Sequence, residues 1–224
     1  MLNSPDCNVG GDDLQKGRNR KLEIKKTTED KQSERKKVII LASGGLDSTA
    51  CIAYYLHLGY TVEPLWVNYG QKAARMERLA IQRVAKFYKL PLQTVLLKGL
   101  RWTVTENNPE YPGRNAIMAL FGATSLPSEN GLISMGIHAG TNYADCSESF
   151  QIHIADLIAL LFHGLIAVDF PFMQWRKGDI AQFSVQYSVP INLTYSCLEG
   201  TSPPCGRCES CLERQSIQNM WDNT

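Results

Sequence analysis

Long hydrophobic runs and a strong net charge of either sign are both missing from this sequence of 224 residues. No apolar stretch reaches the roughly 18 to 20 residues that span a bilayer, and the N-terminus has no apolar core of a signal peptide. We therefore expect a cytoplasmic protein without a membrane partner. The formal net charge of +1 argues against a generally basic surface built for long nucleic acid, so we do not expect nucleic acid as a partner.

Aromatic residues are missing from residues 1–37, which hold ten Lys and Arg and seven Asp and Glu with only scattered aliphatics. Such a segment cannot bury enough apolar surface to offset the entropy cost of ordering it. We predict a disordered charged tail here, with a docking or nucleic-acid arm as the alternative. The rest of the chain is long enough for one ordinary domain and a small appendage.

Short apolar runs alternate with helix-like segments from residue 38 onward, which predicts a parallel sheet covered by helices on both faces. Residues 75–88 place an apolar stripe that includes Leu79 and Phe87 on one side, with charged residues such as Glu77 largely elsewhere, as in a covering helix. Residues 150–166 are apolar enough to predict a helix buried on most sides. The candidate strands are "VIILA" at 38, "TVEPLWV" at 61, "LQTVLL" at 92 and "LISMGIH" at 132.

The loop at residues 43–49, "SGGLDST", lacks the lysine of a Walker-type phosphate loop and the three-glycine spacing of a dinucleotide fold. Its place between a strand and a helix still suits an anion, because the first N–H groups of a helix are unpaired and the helix dipole is positive there. Ser43, Ser48 and Thr49 add hydroxyl donors. Asp47 can orient a metal ion or act as an N-cap. The alternative is a capped turn whose glycines serve only its geometry.

Four of the seven cysteines fall within fifteen residues near the C-terminus. In a reducing compartment, clustered cysteines more often bind metal than form disulfides. Three of the four are spaced as CxxCxxC, and four thiolates suit tetrahedral zinc. Gly206 and the prolines Pro203 and Pro204 favour the tight knuckle of a structural zinc site, while an iron–sulfur cluster and chance thiols in a turn are the alternatives. The four cysteines are Cys197, Cys205, Cys208 and Cys211.

The string "SGGLDS" directly after an apolar strand resembles the pyrophosphate loop of the N-type ATP pyrophosphatases. The resemblance implies an adenine-nucleotide alpha hydrolase-like, Rossmann-like α/β fold. It also implies cleavage of ATP between the α and β phosphates, with magnesium, to make an adenylate. The residues that it implies for ATP binding are Ser43, Gly44, Gly45, Leu46, Asp47, Ser48, Thr49 and Gln71.

Further strings extend the resemblance to the 7-cyano-7-deazaguanine synthases of QueC type, from about residue 38 to residue 214. That family uses ATP and ammonia to convert 7-carboxy-7-deazaguanine to its nitrile in queuosine biosynthesis. The resemblance implies a nucleotide-binding domain over 38–166, a C-terminal region with a zinc knuckle over 167–224, and a homodimer. The strings that carry it are "VNYGQ" at 67, "YPGRNAIM" at 111, "YADC" at 143, "FPFMQWRKGDI" at 170, "TYSC" at 194 and the CxxCxxC run.

The same resemblance implies catalytic roles for Asp47, Arg114 and Lys177. Arg114 can form bidentate hydrogen bonds to a carboxylate or phosphate, and Lys177 can neutralise the charge that develops on departing pyrophosphate. An exposed ion pair is the alternative for each. The implied substrate-binding residues are Arg114, Asn115, Tyr143 and Asp145, and the implied zinc ligands are Cys197, Cys205, Cys208 and Cys211.

The sequence departs from the family on the acceptor side. The stretch between residues 100 and 114 is shorter than the family's, "GIHAGTN" at 136 replaces an aspartate–tyrosine pair, and Ser147 to Ser149 stand where Arg, Pro and Glu are common. His138 follows a predicted strand, where ligand sites gather, although a core role fits it equally. Cys146 suits a small buried hydrophobe better than a ligand contact.

Three functions remain open at this point. The first is nitrile synthesis from a deazaguanine carboxylate and ammonia. The second is a divergent amide ligase that stops after one activation and uses another amine, such as a protein N-terminus. Related domains occur in bacterial antiphage operons. The third is an inactive nucleotide-binding scaffold, which retention of the whole "SGGLDS" loop disfavours.

Overall fold

The computed structural model describes residues 37–100, 111–126, 130–138, 140 and 143–222. Apart from Lys37, the charged tail lies outside the described residues, as does most of the shortened stretch between residues 100 and 114. In the described part of the chain, no helix is long and apolar enough to cross a membrane.

A parallel five-stranded sheet in the order β3-β2-β1-β4-β5 forms the centre of the described structure. Every neighbouring pair is parallel. The middle strand is hydrophobic on both faces, with Val38, Ile39 and Ile40 fully buried, because helices cover both faces of the sheet. The strands are β1 (Lys37–Leu41), β2 (Thr61–Asn68), β3 (Gln93–Leu96), β4 (Gly131–Met135) and β5 (Ile166–Asp169).

Helices pack on both faces of the sheet, as the alternation of apolar runs predicts. One apolar cluster joins α1, α2 and α5 to the face of β1 that carries Val38 and Ile40. A second joins α3 and α4 to the opposite face, which carries Ile39. The last helix, α6, packs on α5. The helices are α1 (Leu46–His57), α2 (Ala74–Tyr88), α3 (Arg114–Thr124), α4 (Glu148–Leu161), α5 (Lys177–Gln186) and α6 (Glu209–Asp222).

The chain changes direction at β1, and this creates the crevice in which ligands of such sheets bind. The connection through α1 leads to β2 on one side of β1, whereas the connection through α3 leads to β4 on the other. The loops that follow β1 and β4 therefore diverge at the carboxyl edge of the sheet. In parallel α/β sheets the ligand lies outside the carboxyl ends of the strands at this switch point.

The four predicted strands are confirmed, but two helix predictions and the strand count need correction. A helix forms where residues 150–166 predict one, but its predicted end and its burial on most sides are wrong. The helix α4 ends at Leu161, and Ile152 and Leu160 on it are 61% and 74% exposed. The last residue of the predicted helix, Ile166, is the first residue of β5. The short apolar run of β5 follows α4 so closely that it resembles a continuation of the helix. This fifth strand also crosses the proposed division at residue 166. On α2 the buried stripe runs through Ala80 and Val84, while Leu79 and Phe87 are exposed.

Candidate active site

A cavity of about 440 Å³ opens at the carboxyl ends of β1, β2 and β4. It lies at the switch point of the sheet, and a pocket of this size holds a small ligand. Four of the predicted loop residues line it: Ser43, Gly45, Asp47 and Ser48. The predicted substrate residues Arg114, Asn115, Tyr143 and Asp145 also line it. The fold thus gathers into one cavity residues that are about 100 positions apart in the sequence.

The loop after β1 presents backbone rather than side-chain groups to this cavity. Gly45 is the N-cap of α1, and no side chain caps the helix. The hydroxyls of Ser48 and Thr49 both donate to the carbonyl of Gly45, at 3.2 and 2.8 Å, and Thr49 is fully buried. In this structure both hydroxyl protons are used within the first turn of α1, and the start of the helix also offers unpaired N–H groups that suit an anion.

Gly44 fixes the loop between α2 and the C-terminal segment. Its φ of +80° lies in the left-handed region, and a Cβ at this position would stand 2.6 Å from the backbone nitrogen of Ile81 on α2. Its carbonyl accepts a hydrogen bond of 3.0 Å from the N–H of Tyr195. Only glycine satisfies both the φ angle and the close approach.

Asp47 is the acidic group of the loop. One of its oxygens, Oδ2, lies 2.8 Å from Nζ of Lys177 and 4.0 Å from Nε2 of the buried His138. The other, Oδ1, is buried and has no hydrogen-bond partner among the described residues. A buried acceptor without a partner is costly. Asp47 lines the cavity, and a carboxylate is a suitable ligand for a hard cation such as magnesium.

Lys177 is the first residue of α5 and lies between two carboxylates. Its Nζ is 2.8 Å from Oδ2 of Asp47 and 2.9 Å from Oε2 of Glu213 on α6. Burial lowers the pKa of Lys177, but the two carboxylates outweigh it and raise the pKa above its ordinary value, so the amine is an ammonium. Lys177 borders a smaller cavity of about 30 Å³ beside the large one, and from the large cavity it is reached past Asp47.

Arg114, Asn115 and Asp145 form one hydrogen-bonded unit on the opposite wall. The carboxylate of Asp145 accepts from the backbone N–H of Asn115 at 3.0 Å and thereby caps the start of α3 from a distance. The Asn115 amide in turn donates to the Asp145 carbonyl at 2.9 Å, and Nε of Arg114 donates to Oδ1 of Asn115 at 3.1 Å. These contacts use much of the hydrogen-bonding capacity of Asn115 and Asp145 within the wall itself. The guanidinium of Arg114 is the cationic group of this wall.

The pKa values of Arg114 and Cys146 on this wall are both shifted by their surroundings. Burial lowers the pKa of Arg114, but Tyr69, through charge and a hydrogen bond, and Asp145 raise it above its ordinary value. Burial raises the pKa of the Cys146 thiol to about 11, helped by the nearby Asp145. Cys146 is therefore a protonated thiol near neutral pH, in keeping with the expectation that it acts as a small hydrophobe.

Gln71 holds the loop after β2 in place. Its amide donates to the carbonyl of Val67 at 3.1 Å and to Oε2 of Glu77 at 2.7 Å, while its oxygen accepts from the N–H of Tyr69. Gln71 lines the cavity, but its side chain is engaged within its own loop.

Glu77 on α2 is a cavity residue that sequence reasoning missed. It accepts hydrogen bonds from Gln71 and from Nε1 of Trp66, and burial raises its pKa above the ordinary value. It stands among the charged residues assigned to the outer face of α2. Helical periodicity does not distinguish Glu77 from those charged residues. Glu77 reaches the cavity because the first turn of α2 projects over it.

The four clustered cysteines come together as predicted. Their sulfurs all lie within 4.8 Å of one another, and a tetrahedral zinc site with Zn–S bonds of about 2.3 Å places its sulfurs about 3.8 Å apart. The backbone N–H of Cys205 donates to Sγ of Cys197 at 3.3 Å. Burial alone would raise the pKa of Cys197, but this and neighbouring hydrogen bonds lower it to about 5, which favours the thiolate that a metal needs.

The cysteine knuckle also forms part of the cavity wall. Cys197 and Cys211 pack with Tyr195 and with Ala73 and Ala80 of the α2 region in a small apolar cluster. The segment from Tyr195 to Glu199 lines the cavity. Because the N–H of Tyr195 bonds to Gly44, the knuckle and the loop after β1 are one connected structure.

Comparisons with known proteins agree on the family. The family model described as queuosine biosynthesis protein QueC matches residues 37–107 and 103–221. A 7-cyano-7-deazaguanine synthase of Thermoplasma acidophilum is 29% identical over 208 residues, covering 81% of this chain and 87% of the relative. The 7-cyano-7-deazaguanine synthase 2 of Sulfurisphaera tokodaii is 30% identical over 207 residues, covering 80% of this chain, but the chain spans only 45% of that protein's length.

The fold is also similar to that of solved structures, of which a tRNA thiolase is one example. The U34-tRNA thiolase NcsA from Methanococcus maripaludis, with its 4Fe-4S cluster, superposes with a TM-score of 0.50 at 14% identity, covering 85% of this chain and 67% of that one. This likeness confirms the predicted α/β fold.

Proposed function

The chain belongs to the QueC family of queuosine biosynthesis proteins, and on that premise we propose that it is an ATP-dependent ligase that adenylates a carboxylate in the large cavity. The observation that carries this proposal is the pairing of two sites in one cavity. One is an uncapped helix N-terminus beside Asp47 and Lys177, suited to the phosphates of ATP. The other is Arg114 on the opposite wall, suited to the carboxylate of an acceptor.

We propose 7-carboxy-7-deazaguanine as the acceptor, because two relatives that match most of this chain are named for its nitrile product. A carboxylate oxygen attacks the α phosphorus of ATP, and pyrophosphate leaves. Ammonia then attacks the acyl carbon of the adenylate, and AMP leaves with the original carboxylate oxygen to give the amide. The amide oxygen then attacks the α phosphorus of a second ATP, pyrophosphate leaves, and one of the two nitrogen-bound protons is released to give an O-adenylated imidate. Loss of AMP and of the remaining nitrogen-bound proton from that adduct gives the nitrile.

The residues of the loop wall have separate roles in this reaction. The N–H groups at the start of α1 bind the departing pyrophosphate, and the ammonium of Lys177 stabilises its growing negative charge. The unpaired Oδ1 of Asp47 fits magnesium, which when bound neutralises phosphate charge. Gly44 keeps the backbone close to α2 so that these N–H groups face the cavity.

Arg114 has the corresponding role at the acceptor. Its guanidinium binds the carboxylate and holds it toward the α phosphorus, and Asn115 keeps the guanidinium in place through the hydrogen bond to Nε. Tyr143 and Asp145 complete the acceptor wall.

We propose that the four-cysteine site holds structural zinc. The sulfurs lie within 4.8 Å of one another, close enough to share one ion. The thiolates of a four-iron cluster each bind a different iron, so their sulfurs stand farther apart than those around a single ion. Zinc would fix the knuckle that carries Tyr195 and the first turn of α6.

A second candidate function is an amide ligase that stops after one activation and uses another amine, such as a protein N-terminus. The observation that favours it lies just after Cys146, where family members commonly carry Arg, Pro and Glu. Here Ser147 instead caps α4 by accepting from the N–H of Phe150 at 3.1 Å, and Glu148 bonds to Gln174. The chain thereby lacks the cation that Arg would supply at position 147, next to the cavity residue Cys146.

Product mass separates the two candidates. The protein is incubated with ATP, magnesium and 7-carboxy-7-deazaguanine, with and without ammonium. We expect the nitrile, with AMP and pyrophosphate, and only when ammonium is present. A product that stops at the amide, or a mass increase on a protein partner, favours the second candidate. If no AMP forms with any carboxylate tested and Asp47→Ala changes nothing, the protein is a nucleotide-binding scaffold and both proposals fail.

The proposed compartment is the cytoplasm, and the proposed assembly is a homodimer, both on family resemblance. Sedimentation velocity of the full chain tests the assembly, and a monomer at micromolar concentration contradicts it.

A further inference from the structure

Nζ of Lys177 lies at nearly the same distance from two carboxylates. A lysine that only binds phosphate does not need both of these partners. The Nζ–O distances are 2.8 Å to Asp47 and 2.9 Å to Glu213. The three side chains come from different helices, α1, α5 and α6, and all are partly buried. The two carboxylates thus compete for one ammonium, and either can hold it alone.

The two carboxylates face different spaces. Asp47 lines the large cavity, and its second oxygen is buried without a partner there. Glu213 borders the small cavity beside Lys177 and is not part of the lining of the large one. A ligand in the large cavity therefore meets Asp47 directly. Glu213 acts on such a ligand only through Lys177.

A divalent cation that binds Asp47 is repelled by the ammonium that already lies on the same carboxylate. Cation binding therefore weakens the ion pair between Asp47 and Lys177 and favours movement of the ammonium away from Asp47. If Asp47 were its only partner, Lys177 would lose its ion pair in a partly buried place, which is costly. Glu213 removes that cost because it keeps an ion pair with Lys177 in either position. The adjoining space of about 30 Å³, enough for one water molecule, gives the ammonium room to shift.

We propose that Glu213 is a positioning residue that retains Lys177 when the cation accompanying ATP takes over Asp47. In the structure Lys177 stands in for that cation on Asp47. When the cation binds, Lys177 remains on Glu213 with its free N–H groups turned toward the phosphates. This inference rests on the proposed function only in assuming that the large cavity binds a metal–ATP complex.

The place of Glu213 is set by the start of α6. It follows Cys211 by two residues, and Arg214 next to it donates to the carbonyl of Ile191 at 2.9 Å and to Oγ1 of Thr194 at 2.8 Å. These contacts hold the first turns of α6 against the segment that leads to Tyr195. A fixed position of this kind allows the Glu213 carboxylate to hold Lys177 by its ion pair.

The test measures metal–nucleotide binding without any acceptor. Binding of Mn²⁺ with α,β-methylene-ATP is followed by electron paramagnetic resonance for the full-length wild type and for Glu213→Gln. We expect about tenfold weaker Mn²⁺ binding in Glu213→Gln, the size of a typical coupling between contacting charges. Glu213→Asp should recover at least part of the loss. Glu209→Gln, an exposed acid in the first turn of the same helix, should bind as the wild type does.

Kinetics give a second readout that loss of stability would not mimic. In Glu213→Gln we expect the Mg²⁺ concentration for half-maximal AMP formation to rise about tenfold, while kcat at saturating Mg²⁺ stays within about threefold of the wild type. An equal fall of kcat at all Mg²⁺ concentrations would overturn the proposal.

A double-mutant cycle with Lys177→Met identifies the route of the effect. If Glu213 acts through Lys177, Glu213→Gln has no further effect on Mn²⁺ binding in the Lys177→Met background. A tenfold loss in that background would show that Glu213 acts as a simple distant charge, and would overturn the proposal. Wild type that binds the Mn²⁺ complex but forms no AMP with any carboxylate refutes the proposed function alone. Wild type that binds no Mn²⁺ complex refutes both.

Discussion

The two walls of the cavity are built in different ways. The loop wall has a backbone frame, consisting of an uncapped helix start, Gly44 packed against α2 and a main-chain hydrogen bond from Tyr195, to which the side chains of Asp47 and Lys177 are added. The acceptor wall is made of side chains, with Asn115 and Asp145 bonded to each other beneath Arg114. A backbone wall keeps its chemistry through many side-chain substitutions. A side-chain wall changes specificity with each one, and the departures of this sequence from its family lie on that side.

The loop wall should fail most severely when its backbone geometry is disturbed. Gly44→Ala places a Cβ where only 2.6 Å separates it from the nitrogen of Ile81, at a φ of +80°. We expect ATP-dependent AMP formation to fall by at least about 100-fold, because misplacement of about 1 Å has effects of that size. The measurement is the rate of AMP release at saturating acceptor.

Gly59→Ala is the matched control for this prediction. Gly59 also has a positive φ, +85°, but nothing lies within 4 Å of the added Cβ. It should lose about 1 kcal/mol of stability from backbone strain and keep its AMP-forming rate. Equal losses of activity in the two variants would contradict the account of Gly44.

Loss of the metal from the cysteine knuckle should weaken ATP binding at the loop wall. Cys208→Ser removes one of four thiolates, so we expect the purified variant to contain little zinc and to bind ATP roughly tenfold more weakly, since Tyr195 lies next to the site and bonds to Gly44. Metal analysis and nucleotide titration measure the two effects. Zinc content equal to that of the wild type would refute the metal assignment, and iron with sulfide would replace it by a cluster.

Disturbing the acceptor wall should affect the acceptor more than ATP. Asp145→Ala removes the oxygen that accepts from the N–H of Asn115, and we expect about 1 to 3 kcal/mol of stability to be lost with the buried N–H left unpaired. The KM for the acceptor should rise about tenfold, while the KM for ATP changes little.

Asp145→Asn keeps an oxygen in place and should retain most of the stability. Thermal unfolding and separate substrate titrations provide the comparison for both variants. A rise in the KM for ATP equal to that for the acceptor would show that the two walls do not act separately.

The smallest effect concerns the thiol of Cys146. With its pKa raised to about 11 from 9.0, the thiolate fraction near neutral pH is lower by about 100-fold than that of an ordinary cysteine. Alkylation of Cys146 by iodoacetamide, followed by peptide mass, should be slow and should keep rising with pH beyond pH 9 without levelling. A rate that levels near pH 9 would contradict the assigned burial.

The position of the loop between β1 and α1 and the gathering of the four cysteines could be predicted because their signals are local. A strand, two glycines, an acid and a helix start are contiguous, and the cysteine spacing is equally compact. The contacts of the acceptor wall join residues about 30 positions apart, and no local pattern predicts that Asp145 caps α3. The place of Glu77 in the cavity was not predicted because helical periodicity grouped it with the exposed charged residues. The strand β5 was missed because its four residues follow an apolar helix.

The central claim is that a carboxylate oxygen attacks the α phosphorus of ATP in this cavity. The direct measurement uses 7-carboxy-7-deazaguanine labelled with ¹⁸O in both carboxylate oxygens and follows the mass of the AMP released in unlabelled water with ammonium present. The account predicts that each AMP carries one ¹⁸O atom. AMP without label, or release of ADP and phosphate in place of AMP and pyrophosphate, would contradict it.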